Sequence, residues 1–120
     1  MKTNPYNQAR LSLKLISIAV LIGTTMSYGN DDNYTIIDVR TNEEWNTGRL
    51  EDAKHLPVNV LKDKIKKLVP DFQHTIYLYC RSGNRSGRAK QIMDRLGYKH
   101  TQNLGSLNEA SHFLKKPIEK

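Results

Sequence analysis

The chain has a single cysteine, Cys80, and the residues after it are of the kinds that could make its thiol reactive. Cys80 closes the apolar run Thr75-Ile76-Tyr77-Leu78-Tyr79 and opens the polar stretch Arg81-Ser82-Gly83-Asn84-Arg85-Ser86-Gly87, beyond which a helical pattern begins. Amides of such a loop can converge on one point, and the following helix aims the positive end of its dipole there. A thiol of ordinary pKa, about 8.5, is only a few per cent ionised at pH 7. Lowering that value by two units removes roughly 2.7 kcal/mol of deprotonation cost. Gly83 and Gly87 are expected to free the backbone to form the nest. Arg85 is expected to face an anion held over Cys80, and Arg81 and Arg88 add positive charge. Ser82 and Ser86 offer hydroxyls, and Ser86 could also cap the next helix. The bland alternative is that Cys80 is a small, buried, inert strand residue.

The elements that must position this loop alternate. Tyr34–Val39 is β-branched and reads as a buried strand. Thr41 and Glu44 have capping-box spacing, so a short helix carries Trp45, expected in the core. Lys54–Val58 reads as a short strand. In the helix expected over Asn59–Val69, Leu61, Ile65, Leu68 and Val69 share one face and Lys62, Lys64, Lys66 and Lys67 are solvated. Thr75–Cys80 is the next strand. Ala89, Ile92, Met93 and Leu96 recur at helical spacing up to Gly97, a C′ residue. Tyr98–Asn103 reads as the last strand, and Ser106 with Glu109 opens a final helix to about Leu114. Strand–helix alternation implies an α/β domain, with a central, mostly parallel sheet flanked by helices. Such sheets bind ligands beyond the carboxyl ends of their strands, where Cys80 sits.

The first 29 residues have a different character. No acid precedes Asp31, Lys2, Arg10 and Lys14 are basic, and Leu15–Ile22 is apolar and followed by small residues. This is the layout of a cleavable secretory signal over residues 1–29, too short for a membrane span. It leaves one domain over residues 30–120, with no stable membrane insertion after cleavage. Net charge falls from +7 to about +4 once those three bases are gone, which suits a small anionic substrate. No arginine-rich run or aromatic platform supports nucleic-acid binding. One cysteine cannot form an internal disulfide, and no resolving thiol supports disulfide exchange. His55, His74, His100 and His112 lack metal-ligand spacing.

Cys80-Arg81-Ser82-Gly83-Asn84-Arg85-Ser86 resembles the active-site loop of the rhodanese, or thiosulfate sulfurtransferase, family. Ile37-Asp38-Val39-Arg40 with Glu44-Trp45 resembles its Asp-Val-Arg signature and acidic-aromatic pair, and Gly48–Pro57 its glycine-to-proline signature. Arg49 and Asp52 stand there in place of the common histidine and glycine. Gly97-Tyr98 and Asn103-Leu104-Gly105-Ser106-Leu107 also match. With its export signal and small size, the chain is similar to the periplasmic phage-shock type of single-domain rhodanese. The resemblance implies a rhodanese-like fold that needs no cofactor, and a monomer is the expected form. Cys80 is then the nucleophile, and Arg81, Ser82, Gly83, Asn84, Arg85 and Ser86 bind the donor. The sulfane sulfur of thiosulfate would pass through a persulfide on Cys80 to cyanide or another thiophilic acceptor, in two displacement steps.

Two rivals stand beside it. Cysteine phosphatases and arsenate reductases place five residues between cysteine and arginine; here four intervene, and Ser86 holds the phosphatase arginine's position. A non-catalytic binding or stress-sensing module on the same fold is the other.

Overall fold

The structure, a computed structural model, describes residues 33–120; the expected signal over residues 1–29 lies outside them. In chain order the elements are β1 (Tyr34–Asp38), α1 (Asn42–Thr47), β2 (Arg49–Leu50), β3 (Lys54–His55), α2 (Val58–Leu68), β4 (Thr75–Cys80), α3 (Asn84–Leu96), β5 (His100–Ser106), α4 (Leu107–Leu114) and β6 (Ile118–Glu119). β1 pairs in parallel with β3 and β4, and β4 with β5, so the sheet order is β3-β1-β4-β5. The expected α/β architecture is therefore present. Chain direction leads from β1 outward to β3, but from β4 outward to β5. The winding reverses between β1 and β4, and Cys80 stands at the carboxyl end of β4, where doubly wound sheets bind ligands.

Alternation along the strands divides the core in two. Ile37, Val39, Ile76, Leu78 and Cys80 face α2 and α3, packing with Leu61, Ile65, Ala89 and Met93. Ile36 and Tyr79 face the other way, toward Leu50 and Ala110. Both expected capping boxes form, Thr41 with Glu44 and Ser106 with Glu109. Gly97 ends α3 in the left-handed region, at φ 103°.

Four details differ from expectation. Trp45 is half-buried rather than in the core, stacked on His55 with ring centroids 4.7 Å apart and covered by the Arg49 guanidinium. Its helix is only six residues long and buries none of them. Leu68 is 39% exposed, so the apolar face of α2 rests on Leu61 and Ile65, with Val69 beyond its end. Tyr98 is not in the strand; it is buried in the connection before it, its hydroxyl donating to the Val69 carbonyl. β2 and β6 pair as a two-stranded antiparallel ribbon that was not expected, since two-residue strands have no readable period. Asp52 fills the turn where glycine is common by taking φ 68°, a conformation aspartate tolerates better than most residues.

Candidate active site

Cys80 ends β4 on the α3 face, so its sulfur meets the start of that helix. Sγ accepts the amide N–H of Gly83 at 3.0 Å and that of Ser86 at 3.4 Å, and lies 3.3 Å from the Ser86 hydroxyl. Gly83 makes the turn possible at φ 101°, and a Cβ there would meet the Gly105 Cα at 3.4 Å. Gly87 does not share this role; it lies inside α3 without a positive φ and donates to the Gly83 carbonyl at 2.9 Å. Ser86 is no cap either, because Gly83 holds the N-cap position and the buried Ser86 side chain turns to the sulfur.

Burial pushes the Cys80 thiol up. Hydrogen bonds to the ionised sulfur, from the Ser86 hydroxyl and from the amides of Ser86, Gly83 and Ser82, outweigh it, leaving the thiol below its ordinary value. These same groups cover the sulfur, and Cys80 has 0% of its surface exposed. The loop thus stabilises a thiolate while shielding it.

Arg85 does not lie free over Cys80. Its guanidinium forks onto Glu44, Nη1 to Oε1 at 2.7 Å and Nη2 to Oε2 at 2.9 Å. That guanidinium, opposed by partial burial and aided by Thr41, holds the Glu44 carboxyl down to about 2. Arg81, Ser82 and Asn84 are exposed. Arg85 and Arg88 border a cleft of about 610 Å³ with Val39–Glu43 and Pro57–Val60, at the switch point between β1 and β4. The structure therefore gathers Cys80, Gly83, Arg85 and Ser86 at one strand end and leaves Arg81 and Asn84 pointing to solvent.

Three residues without an expected role support the loop. Asp38 is fully buried and accepts from Arg40 Nη2 at 2.7 Å, from Arg40 Nε at 3.0 Å and from the Tyr79 hydroxyl at 2.7 Å. Tyr79 in turn accepts the Leu50 amide, and its hydroxyl is pushed far up, first by burial. Asn103 acts on the other flank. Leu78 is opposite Asn103, yet Cys80 is opposite Ser106, so β5 carries one more residue than β4 there. From that bulge Asn103 donates to the Gly83 carbonyl at 3.1 Å and accepts from the Ser86 hydroxyl at 2.6 Å and the Gly105 amide at 2.9 Å. Asp38 and Asn103 lie in stretches that carry the family likeness, but a likeness gives no contact.

A model of the rhodanese-like domain matches residues 26–111. The chain belongs to the rhodanese-like family. Within that family it is 37% identical over 73 residues to the thiosulfate sulfurtransferase PspE of Escherichia coli K12, covering 61% of this chain and 70% of that one. A putative mitochondrial thiosulfate sulfurtransferase of Schizosaccharomyces pombe is 34% identical over 97 residues, covering 71% and 68%. A solved E. coli rhodanese with anions superposes at TM-score 0.66 with 33% identity, over 72% of this chain and 98% of that one. These matches bear out the family expected from the loop and its flanking signatures.

Proposed function

We propose that the protein is a sulfurtransferase that takes the outer sulfur of thiosulfate onto Cys80 and delivers it to cyanide or a cellular thiol. The Cys80 thiolate attacks the sulfane sulfur, a new Sγ–S bond forms, and the S–S bond of thiosulfate breaks with its electron pair leaving on sulfite. The acceptor then attacks the outer sulfur of the persulfide, and the Cys80 thiolate departs. The observation that carries this reading is a lone cysteine whose sulfur receives two loop amides at a helix N-terminus. The same donors favour negative charge on Sγ both before attack and on departure. Arg85, in the first turn of α3, is the guanidinium that would draw a dianion to the loop; Glu44 shares it. Ser82, Gly83 and Ser86 act through their amides, and Arg81 and Asn84 are candidates only for guiding the donor inward.

The covered sulfur also favours a second reading, a binding module whose cysteine is never engaged. Transfer requires the segment over Sγ to yield, or the side chain to turn outward, when the donor arrives. Intact mass separates the two. Incubation of the folded domain with thiosulfate should add one sulfur atom, which cyanide removes and Cys80→Ser abolishes. No gain, with thiol alkylation equally absent, would overturn the transfer reading in favour of the module. Turnover of an aryl phosphate would instead indicate the phosphatase reading.

The basic start and apolar core of residues 1–29 support export to the periplasm, with a monomer as the working form. Among the described residues no helix is long and apolar enough to cross a membrane. The mass of protein recovered from cells tests cleavage.

A further inference from the structure

Resting on the sulfur-transfer reading, we infer that Asn103 is a positioning residue that governs Cys80 ionisation by competing for the single proton of the Ser86 hydroxyl. Ser86 Oγ lies 2.6 Å from Asn103 Oδ1 and 3.3 Å from Cys80 Sγ. It cannot donate to both, because a hydroxyl carries one proton. The Asn103 amide cannot be turned over, since Gly105 N–H needs an acceptor there and the Gly83 carbonyl needs a donor. Oδ1 therefore faces Ser86 and has no proton to give. The 2.6 Å contact is the shorter of the two, so while the sulfur is neutral the Ser86 hydroxyl proton points to Asn103 Oδ1 and Oγ turns a lone pair to Sγ. That arrangement suits a thiol, whose S–H donates to Oγ.

A thiolate needs the reverse. The Ser86 hydroxyl must rotate to donate to Sγ, leaving Asn103 Oδ1 with the Gly105 amide alone. Asn103 thus holds the chain of donors in the order that suits neutral sulfur. The rotor turns when charge collects on Sγ, as it does when the acceptor displaces it. On ionisation the S–H proton leaves to solvent, and on displacement the persulfide S–S bond breaks with its electron pair left on Sγ; in either case the hydroxyl itself only exchanges acceptors. The other charged or titratable groups around the loop are the exposed Arg81 and Arg88, Arg85 with Glu44, Asp38 with Arg40, Tyr79, and Glu109 on the Ser106 amide. All stay in place in the variants below.

The test is the pH dependence of Cys80 alkylation by iodoacetamide in the folded chain. Ser86→Ala should raise the thiol midpoint by about one pH unit, the scale of one hydrogen bond to a charged group, and Ser86→Thr should restore it. Asn103→Ala should lower the midpoint, because the hydroxyl is released to the sulfur. The same substitution in the Ser86→Ala background should move nothing. A merely structural Asn103 predicts the opposite sign, since a loosened loop withdraws its amides. A raised or unmoved midpoint in Asn103→Ala, or an equal fall without Ser86, would overturn the inference. Should that variant not fold, Asn103→Asp keeps both acceptor contacts and should raise the midpoint more in the wild-type background than in Ser86→Ala; equal rises would count against it. Alkylation reads the thiol whether or not sulfur moves. The expected shifts in a protein that takes no sulfur from thiosulfate would therefore defeat the transfer reading alone.

Discussion

Replacing Asp38 by asparagine should unfold this domain more effectively than any surface change. Asp38 has 0% exposure and its partner Arg40 6%, so neither charge can fall back on water. The carboxylate takes both Arg40 Nε and Nη2 together with the Tyr79 hydroxyl, and the Arg40 guanidinium also donates to the Gly48 carbonyl. Asparagine keeps one acceptor oxygen and turns an NH₂ toward groups that are themselves donors. Arg40 is then left buried without a counter-ion, a defect of about 3–5 kcal/mol. A small domain holds only about 5–10 kcal/mol in all, so Asp38→Asn should lose about half of its stability. Urea denaturation followed by far-ultraviolet circular dichroism measures this, with Trp45 fluorescence as a second probe. The double variant Asp38→Asn with Arg40→Met removes both charges and should recover at least about 1 kcal/mol of the loss. A loss below about 1 kcal/mol in Asp38→Asn, or a double variant as unstable as the summed singles, would refute the account of this node.

Glu44 gives the pH-dependent case. Its folded value near 2 lies below the ordinary 4.5, so its ionised form stabilises the fold above the ordinary value and that contribution is lost as pH falls toward 2. The pair is about a quarter exposed, which trims its worth to about 1 kcal/mol. Glu44→Gln should therefore be less stable than wild type by that amount at pH 7 in urea melts, with the gap closing in acid; a gap constant with pH would contradict it. Gly83→Ala forces a side chain into φ 101°, costing about 1–2 kcal/mol, and should slow persulfide formation more than it lowers the melting temperature. Unchanged loading in that variant would show that the Gly83 amide is not used. Met93→Ala empties a fully buried site under α3 and should cost about 3 kcal/mol while the loading rate per folded molecule stays the same. A matching loss of loading would tie that helix's packing to the chemistry.

Periodic and capping signals carried most of the fold. Thr41, Ser106 and Gly97 announced helix ends because caps are local, satisfied by atoms three or four residues away. The strand end at Cys80 was equally readable, since an apolar run meeting a polar loop is a local event. What escaped were contacts between distant segments. Arg85 meets Glu44 across 41 residues, and Tyr79 meets Asp38 across the same separation. Asn103 reaches Ser86 through a register slip between two strands, which no single-strand pattern announces. Trp45 departs from its expected place in the core because a six-residue helix flanking the sheet lays its large residue over His55 instead of into the interior.

The near-touching of Gly83 and Gly105 has a consequence for anyone who would transplant or trim this protein. The seven residues from Cys80 to Ser86 are not a portable cassette. Their shape is half written by the bulged turn that follows Leu104, whose backbone lies within van der Waals reach of Gly83 and whose Asn103 bonds the Gly83 carbonyl and the Ser86 hydroxyl. Grafting the heptapeptide onto another strand end would reproduce its spelling without its mould. Ending the chain at Leu104 would leave the cysteine in place and take away the wall against which its loop is cast.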